Sequence, residues 1–324
     1  MGVERHVIEI ELAGLWVSVE ELADTATPCR IQLVVGEGTP YGSGAVRMFD
    51  VQTGEQTYRI KDLAEVVYCL ALSPDGKLLA AGGADNVVRV WSVEDQKPIA
   101  TLKDHGDWIL GLAFSRDGKL LASASADRTV HVWDVAKWQS TVKLKEGDAV
   151  QAAAFGPDGR TLVLAVAGPH QRSLRVRRTD NVRFIRTIST GAGVPLDLIW
   201  AGKANRAYVA CSDGTVRAFD SNGRTLATLT GHDDWVYCVA LSADQKRLAS
   251  GSGDGTVKLW NATDGKLLAT LMQVRPGTDK WLVITAQGHL ATSSGGAIRW
   301  QAENKNENLQ TPLQKLTDLL QKPE

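Results

Sequence analysis

The chain is poor in the residues that build metal and redox centres. Of 324 residues only four are cysteine, Cys29, Cys69, Cys211 and Cys238. They are scattered, with no CxxC and no CxxCH, which argues against zinc and covalent haem and reads as reduced, buried thiols. No apolar run approaches the roughly 20 residues needed to cross a bilayer. The stretch MGVERHVIEIEL carries Glu4, Glu9 and Glu11 within its apolar positions, unlike a signal peptide. A cytoplasmic setting without membrane contact is expected. Neither sign of charge is in excess: 36 Lys and Arg against 37 Asp and Glu leave a net charge of −1. The molecule as a whole therefore lacks the basic field that nucleic acid or an anionic membrane attracts. No helical period competes with β patterning over residues 6–300. Phenylalanine is scarce as well, at five, whereas tryptophan reaches ten.

Several of those tryptophans are periodic. VRVW ending at Trp91 is matched by VHVW at Trp133 and VKLW at Trp260, with weaker copies ending at Phe49, Arg177, Phe219 and Trp300. The marks are separated by 42, 42, 44, 42, 41 and 40 residues. A period of this size is the signature of a repeat architecture. Each unit reads as four short strands. In the third these are WILGLAF (108–114), KLLASAS (119–125), VHVWDV (130–135) and STVKLK (140–145), joined by the turns SRDG and ADRT. Asp-Gly and Pro-Asp turns at SPDG (73–76), GPDG (156–159) and SDGT (212–215) supply hairpin chemistry.

Seven such units resemble WD40 repeats, and the resemblance implies an all-β, seven-bladed β-propeller of four-stranded antiparallel blades, of bacterial type. It covers residues 1–301, with the strand at about 6–12 expected to close blade seven. Residues 302–324 are expected to form a polar linker (303–310) and a short amphipathic helix, with Thr311 as N-cap and Pro312 in the first turn. The resemblance also implies a role for the Ser, His and Asp residues that otherwise suggest a nucleophilic site. In WD40 proteins a His before the first strand, a Ser or Thr in the second, an Asp in the next turn and a Trp in the third form a buried hydrogen-bond relay. Here that set is His105, Ser123 or Ser125, Asp127 and Trp133 in unit three, and His232, Ser250 or Ser252, Asp254 and Trp260 in unit six. The other units carry Ala13, Leu63, Glu146, Gly191 and Arg275 at the His position. Units one, four and seven replace the turn Asp by Ser43, Gln171 and Ser294, so apolar packing is expected to hold them.

Two surfaces are candidates for recognition. First strands line the propeller axis, and Trp16, Tyr68, Trp108, Leu110, Trp235 and Tyr237 fall at its mouth. Large rings with a polar tip suit a peptide-binding rim, or they fill the mouth and cover backbone. The hairpin 171–186 carries Arg172, Arg175, Arg177, Arg178, Arg183 and Arg186, either a solvated face or a docking patch for an acidic segment, phosphate or nucleic acid. The glycine-rich stretch 36–44 fits no phosphate-binding fingerprint and reads as an enlarged hairpin loop or a contact loop. An active site would require convergent catalytic groups, and in register mainly Asp197 approaches the axis. The expected function is a non-catalytic module that binds protein or peptide, with no cofactor and no metal; the sequence leaves its oligomeric state open. Replacing His232 or Asp254 by Ala is expected to cost about 1–3 kcal/mol of stability, read from the denaturant midpoint, because partners are left unsatisfied.

Overall fold

The computed structural model describes the backbone of residues 7–12, 15–22, 30–38, 42–50, 56–169, 172–202, 205–242, 244–273, 281–286, 290–292, 298–302 and 305–309. Side chains are described over 42–48, 56–61, 63–169, 172–202, 205–242, 244–272 and 282–286. Every element among these residues is a strand.

An N-terminal sheet contains β1 (Val7–Leu12), β2 (Leu15–Leu22), β3 (Arg30–Gly38), β4 (Gly44–Asp50) and β5 (Gln56–Leu63). Five blades of four strands follow. They are β6 (Val67–Leu72), β7 (Leu78–Gly83), β8 (Val88–Ser92) and β9 (Pro98–Leu102); then β10 (Ile109–Phe114), β11 (Leu120–Ser125), β12 (Thr129–Asp134) and β13 (Gln139–Lys145); then β14 (Val150–Phe155), β15 (Thr161–Ala167), β16 (Arg172–Arg178) and β17 (Phe184–Ser189); then β18 (Pro195–Ala201), β19 (Arg206–Cys211), β20 (Thr215–Asp220) and β21 (Thr225–Thr230); and β22 (Val236–Leu241), β23 (Arg247–Ser252), β24 (Thr256–Asn261) and β25 (Leu267–Gln273). Neighbours within each blade are antiparallel. Strands β2 and β3 lie beside β6, and β1 lies beside β22 and β23.

Among the described residues this all-β propeller has five blades, which corrects the expectation of seven. The seventh unit supplies β26 (Trp281–Thr285) and β27 (Leu290–Thr292), but these do not open a new sheet. Strand β26 pairs with β25, Ala269 opposite Thr285 and Gln273 opposite Trp281, and β27 pairs with β26, so the last blade's sheet grows to six strands. An outer strand exposes a row of unpaired N–H and C=O groups, and the next strand in sequence takes that edge. Among the described residues strand β28 (Ile298–Ala302) pairs with β29 (Lys305–Leu309) alone. Strand β1 pairs with β2, Val7 opposite Glu20, and the described residues form no seventh blade. The boundary expected after residue 301 falls inside β28, and β29 occupies part of the expected linker. No helix occurs among the described residues, and the expected helix over 311–322 lies outside them. Of the 36–44 stretch, residues up to Gly38 end β3 and Gly44 opens β4, with Gly38 opposite Gly44, and residues 39–41 lie outside the described ones.

The core sits between blades. Val88, Val90 and Leu102 pack with Ile109, Leu121 and Trp133 of the next blade. Val130 and Leu144 pack with Phe155 and Leu164, and Tyr208 and Val216 with Val239 and Trp260. Each interface is apolar on both sides, so every blade needs a neighbour to bury its face.

Each first strand also carries a register shift against the second. It falls between Val67 and Cys69, Ile109 and Gly111, Val150 and Ala152, Pro195 and Asp197, and Val236 and Cys238. The residue skipped in each is Tyr68, Leu110, Gln151, Leu196 or Tyr237. A bulge re-aims a side chain while the ladder continues. The bulge after Leu110 brings two blades into close approach: a Cβ on Gly111 would stand 2.9 Å from both the Ala152 Cα and the Gln151 carbonyl oxygen of β14. That neighbour is backbone and cannot step aside. Gly111→Ala is expected to cost about 1–3 kcal/mol, seen as a lower denaturant midpoint; an unchanged midpoint would show that the two strands do not pack this closely.

Candidate functional site

The Ser, His and Asp residues of the two relay blades are brought together. His232 Nδ1 is 2.8 Å from Asp254 Oδ2, His232 Nε2 is 2.8 Å from Ser250 Oγ, and the Trp260 indole N–H donates to the same Oγ at 2.8 Å. In the second blade, His105 lies 3.0 Å from Asp127 and 2.8 Å from Ser123, and Trp133 donates to Ser123 at 2.9 Å. A carboxylate only accepts and an indole N–H only donates. The imidazole therefore donates from Nδ1 and accepts the serine hydroxyl proton at Nε2. Ser125 and Ser252 stand outside this chain and donate to the carbonyls of Asp107 and Asp234.

These distances would suit a nucleophilic triad, and accessibility separates the two readings. Ser250 is 1% exposed and Ser123 0%, and each oxygen already accepts an indole proton. No substrate reaches either hydroxyl, so the arrangement ties strands together. Burial weighs against the charged form of Asp254. The Thr256 hydroxyl, His232 and the amides of Asp233 and Thr256 outweigh it and hold the carboxyl down at about 2. Asp127 is depressed in the same way, by Thr129, Gly106 and His105 acting against burial.

The remaining blades satisfy the same position differently. The residues opposite the relay serines are His131 and Lys258, and their counterparts are Arg89, Arg175 and Arg217. Where the histidine is missing, the arginine takes the turn carboxylate: Arg89 pairs with Asp85 and Arg217 with Asp213, each at 2.5 Å. In the third blade the polarity is reversed. Glu146, at the His position with its side chain 2% exposed, pairs with Arg177 at the Trp position at 2.7 Å, and Arg175 lies 3.8 Å away. Mainly apolar packing was expected there, and an ion pair is found as well.

This pairing also accounts for much of the arginine hairpin. Arg175 and Arg177 face Glu146, both lie over the Phe184 ring, and Arg178 pairs with Asp180 at 2.6 Å. Arg172 and Arg183 are exposed and Arg186 half-buried. Three of the six arginines of the expected basic patch thus have a carboxylate partner within the chain, two of them sharing Glu146.

The channel collects the rim residues. A cavity of about 450 Å³ is walled by the first strands of all five blades. Tyr68, Leu110 and Tyr237, three of the skipped bulge residues, line it together with Trp108 and Trp235. Trp108 is 48% exposed and Trp235 49%. Tyr68 and Trp108 have ring centroids 5.5 Å apart, and Trp235 and Tyr237 6.1 Å. Trp16 lies on β2, and its side chain is outside the described residues. Strand β14 lines it with the small side chains of Ala152, Ala153 and Ala154. Among the described residues no three His, Cys, Asp or Glu side chains converge as metal ligands.

A repeat model described as WD domain, G-beta repeat, matches residues 56–92, 96–134 and 223–261. The chain carries WD40 repeats. Similar proteins include the B-type cell cycle switch protein ccs52B of Medicago truncatula, 30% identical over 128 residues, 38% of this chain and 26% of that protein. The anaphase-promoting complex subunit cdh1 of Dictyostelium discoideum is 30% identical over 116 residues, 35% of this chain and 15% of its own length. Protein groucho of Drosophila melanogaster is 26% identical over 128 residues, 39% of this chain and 17% of its own. The match spans about a quarter or less of each of these relatives.

One buried histidine was not anticipated from the repeat pattern. His131 stacks on Trp133, ring centroids 5.3 Å apart, and meets His105 edge-on at 4.6 Å. Burial, then repulsion from His105 and Lys143, push its pKa down to about 4, against the pull of Asp104 and Asp127. Burial likewise lowers His105 and His232, opposed by their aspartates. The unfolded chain, with histidines near 6.5, therefore binds protons that the folded chain refuses. Stability is expected to fall as pH drops from about 6.5 toward 4, each proton contributing up to about 1.4 kcal/mol per pH unit. His131→Gln should flatten that slope in chemical denaturation across the window; an unaltered slope would show that His131 does not titrate with unfolding.

Proposed function

We propose that the protein is a non-catalytic recognition module that binds a peptide segment of a protein partner at the channel mouth. The observation that carries this reading is the aromatic rim: two half-exposed indoles backed by two phenols, above a cavity reached from solvent. Soluble chains bury such area unless it serves a contact, and large aromatic anchors dominate peptide and protein affinity. The relatives give the reading a context, since one is by name a subunit of a complex. We place the module in a reducing, cytoplasmic setting, in keeping with the free thiols of Cys69, Cys211 and Cys238. The bacterial type suggested by the closing stretch WLVITAQGHL rests on that stretch alone.

Peptides selected by display on the intact chain test the proposal. Trp108→Ala and Trp235→Ala are each expected to weaken their binding by about 2 kcal/mol, roughly thirtyfold, with the thermal transition unchanged. Selected peptides that bind both variants as tightly as the parent would remove the rim from the function.

A further inference from the structure

The channel holds one feature that an apolar peptide does not satisfy. Asp197 is the single charged residue among the described residues lining the cavity. It sits on β18 at the register shift, so the chain irregularity that builds the wall also turns this carboxylate inward. Its Oδ1 accepts the Leu198 amide at 2.7 Å, and its Oδ2 accepts the Val239 amide of the neighbouring blade at 2.9 Å. Each oxygen keeps a second acceptor site. Among the described residues no Lys, Arg or His forms an ion pair with it. The contrast with the carboxylates between second and third strands is direct, because Asp85, Asp127, Asp213 and Asp254 all have a cationic or imidazole partner.

We propose that the channel admits one basic side chain, arginine or lysine, of the bound peptide, with the Asp197 carboxylate as its counter-charge and the rim rings packed along its stem. The assignment rests on the reading of the rim as a peptide site and names what that site selects. Charge complementarity drives it. A carboxylate facing apolar walls is poorly solvated, and burial pushes Asp197 up to about 6 despite the amides of Val239 and Leu198. A cation restores what water no longer supplies. The titratable groups that share the cavity, Cys69, Tyr68 and Tyr237, bring no positive charge. Indole and phenol faces attract guanidinium and ammonium groups, and apolar rings cover the methylene stem. The cavity's volume of about 450 Å³ suits a long side chain with part of its backbone. An acidic or phosphorylated residue would meet a like charge.

The test uses the whole chain at neutral pH and three probes, the N-acetyl amides of arginine, lysine and citrulline. Citrulline copies arginine's shape without its charge. Indole fluorescence and the indole N–H resonances of Trp108 and Trp235 report binding. The arginine and lysine probes are expected to bind at least about tenfold tighter than the citrulline probe. Asp197→Asn is expected to level the three. Gln151→Lys tethers a cation in the same cavity without touching the Asp197 hydrogen bonds, and it should abolish arginine binding. Equal binding of arginine and citrulline probes by the parent chain overturns the proposal, whether or not Asp197→Asn folds. So does a Gln151→Lys variant that binds arginine like the parent. Display-selected peptides that depend on Trp108 and Trp235 yet lack any basic residue would overturn the cation assignment and leave the rim reading standing. Peptides indifferent to both tryptophans would overturn the rim reading itself.

Discussion

A carboxylate in the turn between the second and third strands of a blade is partly out of water and must be given hydrogen-bond donors. In the blades of β10–β13 and β22–β25 the donor is a histidine from the preceding loop, continued through a serine to a tryptophan. In the blades of β6–β9 and β18–β21 it is an arginine four residues on, in the third strand. In the blade of β14–β17 the acid moves to the preceding loop, and an arginine stands where the tryptophan would be. All three solutions link the same parts of the chain, the loop or turn at one end of a blade and its third strand. A lost partner costs more than an absent pair would, so charge and counter-charge change together.

With the blades held in this way, their first strands can depart from regular pairing. Each carries its bulge at the same level, and the skipped side chains converge on the axis. The cavity-lining residues are thereby placed on strands that each pair with a buried second strand. Such residues are held more rigidly than loop residues would be, which lowers the ordering cost of binding. The same economy explains why the relay serines are inert and the channel carboxylate is available. The first are enclosed between strands, and the second faces an open cavity.

Strands, turns and third-strand marks were legible in the chain because they depend on neighbours in sequence. The expected strands at 108–114, 119–125, 130–135 and 140–145 correspond to β10 through β13 within a residue or two. The number of blades was not legible. A strand such as 281–285 carries the same alternation whether it opens a new sheet or extends an old one, and the choice depends on which distant edge is free. The pairing of β1 with β2 is another choice of this kind. The arginine solutions could have been read. Arg89 and Arg217 stand two residues before Trp91 and Phe219 in units that have a turn Asp and lack the His. Glu146 and Arg177 depart from the repeat together, at the two positions the relay would join. His131 stands at the same place as those arginines, and only the ring stacking set its environment apart.

The reciprocal pairs also define what a repeat is in this molecule. From the loop before a first strand to the end of the third, acid and donor are encoded on one continuous stretch, as in 105–133, 146–177 and 232–260. The fourth strand takes no part in that matching. A segment transplanted between copies with its seams in fourth strands would carry a complete set of partners. A seam between the second and third strands of 105–133, 146–177 or 232–260 would part an acid or a donor from its partner, whereas the Asp85–Arg89 and Asp213–Arg217 pairs lie within the turn and third strand and would cross such a seam intact.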